Sequence, residues 1–321
     1  MRGSALTLAT ALETLDGWQP DLVVVSDMVD LAQFRTFSRR QLGDVPTVLY
    51  FHESQLTYPT SPRAAPDISF ALTNWLSAVA ADAVLFNSGY HLEVFSASLP
   101  DLLSGFPDLS HEHQIEDVLS KSEVLPVGVD LAWIPERSSR NDPPRVLWNH
   151  RWEHDKDPGA FADAIEALIG LGSQFDLVLL GPRPPRVPAA LARIRDLAGE
   201  RIIDDDEAPL DTYRELVSTC DIVVSTARQE FFGVSIVEAV AAGCRPVLPD
   251  RLSYPWLIPS RYRDEVLYPD GGLVDALKTA LEEPVTPPGL QESMSRFSWD
   301  EMGPEYDKRL QELAGAPAAK R

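Results

Sequence analysis

Short apolar runs alternating with helix-length segments restrict this chain more than any other feature of it. Asp21-Leu-Val-Val-Val-Ser26, Pro46-Thr-Val-Leu-Tyr-Phe51 and Ala83-Val-Leu-Phe-Asn87 are each too short for a helix and are bounded by polar residues, as strands buried on both faces are. Helical patterns lie between them, over residues 5–15, Leu31–Arg40 and Ile68–Ala80, with another from Ser88. Such βαβ repetition builds a mostly parallel sheet. Gly105–Lys121 reads as a loop and short helix, and Val124-Leu-Pro-Val-Gly-Val-Asp130 as the last strand of a first domain.

The polar, proline-bearing stretch Ser138–Pro144 is expected to link two domains. The pattern restarts with Arg145-Val-Leu-Trp-Asn149 and continues through strand-like Phe175–Leu180, Arg201–Ile203, Asp221–Ser225 and Arg245–Pro249. Helices are expected around Phe161–Ile169, Ala189–Ala198, Leu210–Ser218 and Gly233–Ala242, which makes a second Rossmann-like unit. The expected division is an amino-terminal domain over 1–137, a linker over 138–144, a nucleotide-binding domain over 145–285, and a terminal helical segment and tail over 286–321. Pro284–Gly289 breaks the pattern before a helix over Leu290–Leu310, and the tail from Ala314 reads as frayed. A Rossmann-like half normally opens with a strand and a glycine-containing loop, whereas this one opens in a helix-like Arg2-Gly-Ser-Ala-Leu-Thr-Leu-Ala9, so that strand and loop are expected to be missing.

The length of 321 residues suits two domains, and 44% hydrophobic with 24% charged residues suits a folded protein. Neither a membrane-length apolar run nor a long signal core is found, so the expectations are no membrane partner and a cytoplasmic location; oligomeric state is left open. The net charge of -21, from 49 acids against 28 lysines and arginines, works against a polyanionic partner, although binding depends on the local field at a cleft. Arg35, Arg39 and Arg40 form the densest basic cluster and equally suit a solvated helix end. Cys220 and Cys244 read as core thiols, and His111 and His113 lack the paired ligands a metal site needs, so no metal is expected. No P-loop or helix-turn-helix signature occurs.

The candidate chemistry concentrates at strand ends, where open α/β sheets bind ligands. Arg228-Gln-Glu-Phe-Phe-Gly-Val-Ser-Ile-Val-Glu238 sets Glu230 on a loop and Glu238 within a helix, with Gly233 permitting close approach of a ligand. Two carboxylates there suit hydroxyl-rich groups, but spacing alone equally describes a loop acid and a solvated helix acid. Backbone donors of Gly233, Val234 and Ser235 can receive phosphate at the helix start or serve only as an ordinary cap. Arg151 and Lys156 follow the Val-Leu-Trp-Asn strand and suit a diphosphate, Arg as a planar fork and Lys as a mobile point charge; the other reading is two basic residues in a charged loop. His52, beyond the Pro46–Phe51 strand, can orient an acceptor or donate to a sugar hydroxyl, with Glu53 and Gln55 beside it. Asn87 and Ser88 end the third strand, facing a cleft or capping the next helix, and Asp204–Ala208 is either a base-contacting loop or an acidic turn.

Tyr50-Phe-His-Glu-Ser-Gln-Leu-Thr-Tyr-Pro59 resembles the signature of the glycosyltransferase-like domain-containing family that includes tRNA-queuosine mannosyltransferase. Met28-Val-Asp-Leu-Ala32, Phe86-Asn-Ser-Gly89 and Trp148-Asn-His-Arg-Trp-Glu-His-Asp-Lys-Asp-Pro158 fit the same family, and the resemblance runs over roughly residues 1–310. The family usually carries Asn where Ser54 stands. The resemblance implies a GT-B fold of two facing Rossmann-like domains, similar to glycosyltransferase family 4, and transfer of a hexose, mannose foremost, from GDP-mannose or a related nucleotide sugar with retention at the anomeric carbon. It further implies no obligatory metal or other cofactor, and queuosine in tRNA as acceptor. By the same resemblance Glu230 contacts the donor sugar, Glu238 the nucleotide ribose, and the Arg151-x4-Lys156 spacing the diphosphate, while Glu53 receives no settled role. Two other readings stay open: transfer to a small metabolite or glycan, which the acidic charge favours, and a non-catalytic nucleotide-sugar-binding module.

Overall fold

The computed structural model describes residues 3–15, 17–57, 68–106, 109, 111–136, 139–184 and 187–315. The expectations for Arg2, for Tyr58 and Pro59 of the signature, for Ser138 of the linker, and for the tail beyond Gly315 lie outside the described residues. The chain divides into two compact units, residues 1–127 with 303–321, and residues 128–302.

The first unit holds a parallel sheet of β1 (Val23–Ser26), β2 (Thr47–Phe51), β3 (Ala83–Phe86) and β4 (Ser122–Val124), in that spatial order. Every residue of β2 and β3 is buried, which explains their unbroken apolar sequences. Phe51 and Phe86 stack with centroids 4.8 Å apart, and Trp75, Phe95, Leu99 and Leu103 complete this core. Arg35 is a structural cation: it donates to Thr47 Oγ1 at 2.6 Å and to Asp82 Oδ2 at 2.8 Å. Burial pushes the Asp82 carboxyl up, but hydrogen bonds from the Thr47 backbone and Arg35 outweigh it and hold the group below its ordinary range.

Three expectations need correction here. The strand placed at Val124–Asp130 is Ser122–Val124; Pro126 has no N–H to give a ladder, and Val129 makes only an isolated bridge with Ser298. The helix expected over Leu31–Arg40 is two helices, Leu31–Phe37 and Arg39–Leu42, parted at Ser38, whose hydroxyl donates back to Phe34 O at 2.6 Å. The single helix expected over Leu290–Leu310 is a short helix Leu290–Ser293, a 3₁₀ turn Met294–Phe297, and a helix Trp299–Gly315. Within the first unit, Tyr306 of that last helix donates to the Tyr50 hydroxyl at 2.8 Å, Tyr50 donates to Leu125 O at 2.7 Å, and Arg309 pairs with Glu123.

The second unit contains β5 (Arg145–Asn149), β6 (Asp176–Leu180), β7 (Ile202–Asp204), β8 (Ile222–Val224), β9 (Arg245–Pro249) and β10 (Leu267–Tyr268). They form one parallel sheet in the order β10-β9-β8-β5-β6-β7. The chain builds outward from β5 to β7, then returns beside β5 and builds the other way, so a topological switch point lies between β5 and β8. Trp148 is fully buried and stacks on Phe161 at 5.6 Å, anchoring β5 to the helix Pro158–Gly170. Gly181, with φ 107°, lets the chain leaving β6 pass the β5 loop: a Cβ there would lie 2.2 Å from His150 O. Cys220 and Cys244 are fully buried and their thiols donate to backbone carbonyls. No helix among the described residues is long and apolar enough to cross a membrane.

Candidate active site

The loops leaving β5 and β8 emerge side by side at the switch point and are laced together. Arg228 and Gln229 backbone N–H groups donate to Asp155 O at 2.7 and 3.2 Å, and Thr226 Oγ1 donates to Lys156 O at 2.7 Å. Asp157, at φ 47°, caps the helix Pro158–Gly170 through the Ala160 N–H and receives Arg228 Nε at 2.7 Å.

Lys156 sits inside this lacing. Its Nζ donates to Gln229 O at 2.6 Å and Glu230 Oε2 at 3.1 Å, with Asp155 Oδ2 at 3.4 Å, and the residue is only 7% exposed. The reading of Lys156 as a mobile point charge is therefore corrected: it is a fixed, buried cation bracketed by two carboxylates. Arg151 is the accessible partner, 40% exposed, with Nη2 3.4 Å from Asp155 Oδ2 and Nη1 3.7 Å from Glu153 Oε2. Glu230 is oriented from its other oxygen by the Phe232 N–H at 3.3 Å. Gly233, at φ 104°, turns the chain into the helix Val234–Ala241, whose first-turn N–H groups at Val234 and Ser235 have no preceding carbonyl in the helix to bond. The structure thus brings Arg151, Lys156, Glu230 and the Gly233–Ser235 turn to one strand-end face.

Glu238, half-buried on that helix, accepts from the Tyr213 hydroxyl at 2.8 Å. Asn149 Nδ2 donates to Tyr213 Oη at 3.3 Å and to Ser235 O at 3.1 Å. Burial holds the Glu238 carboxyl above its ordinary range, opposed by the Tyr213 hydrogen bond; burial and the Glu238 charge push the Tyr213 phenol up. His150 is lowered to about 3 by burial and the Lys156 charge, so it is a neutral ring at ordinary pH. Asn149 Oδ1, Asp155 Oδ1 and Gln229 Nε2 are buried without a hydrogen-bond partner among the described residues. Sequence reasoning missed Asn149, Asp155, Tyr213 and Gln229; only Asn149, as the last residue of β5, carried a positional signal.

The remaining candidates lie in the first unit. Asp27, beyond the carboxyl end of β1, receives the His52 N–H on Oδ1 at 2.9 Å and the Glu53 N–H at 3.5 Å, and the His52 Nδ1 lies 3.6 Å from the same oxygen. His52 is 55% exposed at its side chain, with its ring 4.6 Å from Tyr50. Asn87 donates to His52 O at 2.9 Å and meets His91 Nδ1 at 2.9 Å; His91 is lowered to about 3 by burial. Ser88 is fully buried and caps the helix Gly89–Ser104. Asn87 and Ser88 thus take the capping and bracing alternative within the fold, while Gln55 is held by its N–H on Asn74 Oδ1 at 3.1 Å. In the loop after β7, Asp205 pairs with Arg195 and Asp206 with Arg183. No group of three or more His, Cys, Asp or Glu side chains is gathered as a metal ligand set among the described residues.

Two parallel α/β sheets, with a switch point in the second, are the architecture of the GT-B class. Sucrose-phosphate synthase from Thermosynechococcus elongatus superposes with TM-score 0.75 at 16% identity, covering 98% of this chain and 78% of that one. Anabaena HepE, in complex with UDP and glucose, gives TM-score 0.65 at 17% identity, covering 96% of this chain and 81% of that one. These likenesses fix the fold as GT-B. Residues 1–129 match the family described as tRNA-queuosine alpha-mannosyltransferase N-terminal. The tRNA-queuosine alpha-mannosyltransferase of Drosophila melanogaster is 32% identical over 231 residues, 69% of this chain, and the chain spans 61% of that relative's length.

Proposed function

We propose that the protein is a retaining glycosyltransferase that moves mannose from GDP-mannose to queuosine in tRNA. The observation that carries this reading is the cation and carboxylate arrangement at the β5–β8 switch point, in a chain whose first 129 residues match a tRNA-queuosine mannosyltransferase domain. Arg151 and the turn at Gly233, Val234 and Ser235 receive the donor diphosphate. Lys156, neutralised twice over by Asp155 and Glu230, holds Glu230 at a fixed place, where its carboxylate meets the transferred hexose. Glu238 takes the ribose hydroxyls, its orientation set by Tyr213. In the first unit, His52, positioned by Asp27, places the acceptor with Glu53 and Gln55 near it.

The reaction breaks the bond between the anomeric carbon and the diphosphate oxygen and forms one from that carbon to the acceptor oxygen on the same face. The acceptor proton passes to the departing diphosphate oxygen, so no enzyme nucleophile is needed. Charge that develops on the diphosphate is met by Arg151 and by fixed backbone dipoles, which need no reorganisation.

The test combines calorimetry over a nucleotide-sugar panel with mass spectrometry of queuosine-containing tRNA and pooled small acceptors. The reading expects selective GDP-mannose binding, a hexose added to tRNA, and a roughly tenfold loss of donor affinity in Arg151→Ala. Transfer only to small acceptors, which the net charge of -21 favours, would replace the tRNA assignment. A folded protein that binds no nucleotide sugar would overturn the whole reading.

A further inference from the structure

Asn149 is the last residue of β5, at the switch point of the second sheet, and its side chain is bonded at one end only. Its Nδ2 donates to Ser235 O at 3.1 Å and to Tyr213 Oη at 3.3 Å. Ser235 O is a carbonyl and can only accept, so the group facing it is the NH₂ and the amide cannot be turned over. The remaining end, Oδ1, is buried without a hydrogen-bond partner among the described residues, on a side chain whose residue is 6% exposed. A buried acceptor in that state is costly, and a ligand O–H would relieve the cost.

A second acceptor is set by the same phenol. Tyr213 Oη donates to Glu238 Oε2 at 2.8 Å; burial and the Glu238 charge keep it protonated, so its single proton is committed there while its oxygen receives Asn149 Nδ2. Glu238 Oε1 accepts from no described residue. Tyr213 thus ties a carboxamide oxygen and a carboxylate oxygen into one group that offers acceptors and no donor. A phosphate oxygen finds nothing to bond there, whereas a vicinal diol brings two O–H donors on adjacent carbons. The three side chains come from β5, the helix Leu210–Ser218 and the helix Val234–Ala241, so the paired acceptors exist only once the sheet order is in place.

We propose that Asn149 is a ribose-reading residue of the donor site, its Oδ1 accepting one hydroxyl of the cis-diol while Glu238 Oε1 accepts the other. The assignment rests on the transferase reading, in which Glu238 takes the ribose, and adds a discrimination absent from it: ribonucleotide over deoxyribonucleotide. Because Oδ1 is shut off from water, a ligand lacking the matching hydroxyl leaves the amide oxygen unpaired with no solvent in its place, the condition under which one missing hydroxyl is rejected most sharply. Asn149 meets the sugar and not the reacting atoms, so its effect falls on donor affinity.

Calorimetry of the full chain with GDP, 2′-deoxy-GDP and 3′-deoxy-GDP tests it. The parent is expected to bind GDP about tenfold tighter than either deoxynucleotide. In Asn149→Ala one of those two ratios is expected to fall to about one while the other, read by Glu238, persists. A residue that only braces the fold would weaken all three nucleotides alike and leave both ratios where they were. Asn149→Ser, which keeps a small polar side chain at the strand end, gives the same readout if the alanine protein does not fold, and the parent ratios need no variant. Equal binding of the three nucleotides by the parent, or an Asn149 variant that loses affinity for all three by one common factor, would overturn the assignment and leave the transferase reading standing. A folded parent that binds none of the three would remove both.

Discussion

Replacing Lys156 by Met tests how the β5–β8 lacing is held. The substitution keeps most of the side-chain volume and deletes one charge that is 3.1 Å from Glu230 Oε2 and 3.4 Å from Asp155 Oδ2. At an effective dielectric of about 20, the first contact alone is a gross attraction of about 5 kcal/mol, most of it offset in the parent by the cost of burying the ammonium. Deletion removes the attraction but leaves two carboxylates and the Gln229 carbonyl behind, so a loss of about 3–5 kcal/mol is expected. Adding Glu230→Gln removes one of the stranded charges and is expected to recover at least about 1 kcal/mol, a coupling readable in a double-mutant cycle. Urea unfolding followed by tryptophan fluorescence measures it, since Trp148 and Trp152 lie in the same core. A Lys156→Met protein within about 1 kcal/mol of the parent, or strictly additive single substitutions, would refute the account of Lys156 as the buried tie between the loops.

Glu238 gives a pH signature. Its folded carboxyl sits above the ordinary value of 4.5, so its contribution to stability is full below the unfolded pKa and is lost as pH rises through the folded one. Unfolding midpoints measured between pH 4 and 7 should fall for the parent relative to Glu238→Gln; parallel curves would count against it. Asp82 has the opposite sign: Arg35→Met should cost about 1–3 kcal/mol near neutrality, and that cost should shrink as acid protonates Asp82. A pH-independent penalty would contradict this. Gly181→Ala should destabilise by more than about 3 kcal/mol or prevent folding, because a Cβ 2.2 Å from His150 O cannot be accommodated at φ 107° without displacing backbone; a thermal midpoint like the parent's would be inconsistent with that close passage.

The strands that were legible in the sequence were those buried on both faces, since β2, β3 and β6 leave runs of apolar residues with little polar interruption. β4 was misplaced because Ser122-Glu-Val is short and only partly buried, while the more apolar Leu125–Val129 carries a proline that no ladder can use. β10, Leu267–Tyr268, is two residues long and offers no period to read. Arg151, Lys156, Glu230 and Glu238 were singled out as candidates by strand-end position and family pattern, but the burial of Lys156 was not legible: a lysine among His, Asp and Glu reads as a solvated loop until the β8 loop closes over it. Tyr213 was invisible for a related reason, reaching Glu238 across 25 residues from an amphipathic helix whose sequence marks only its packing face. Long-range partners of this kind are set by sheet order, which alternation alone does not specify.

The return of residues 303–315 to the first unit makes that unit discontinuous in sequence. A fragment cut at Val127 would keep all four strands of its sheet yet strip Tyr306 from the Tyr50 hydroxyl and Arg309 from Glu123. The opening portion of the chain therefore cannot be treated as a separable cassette. Anyone wishing to study or transplant it would have to carry the closing helix along, joined by a short bridge in place of the second unit, and deletions within that helix would register at the strand bearing the His52 loop.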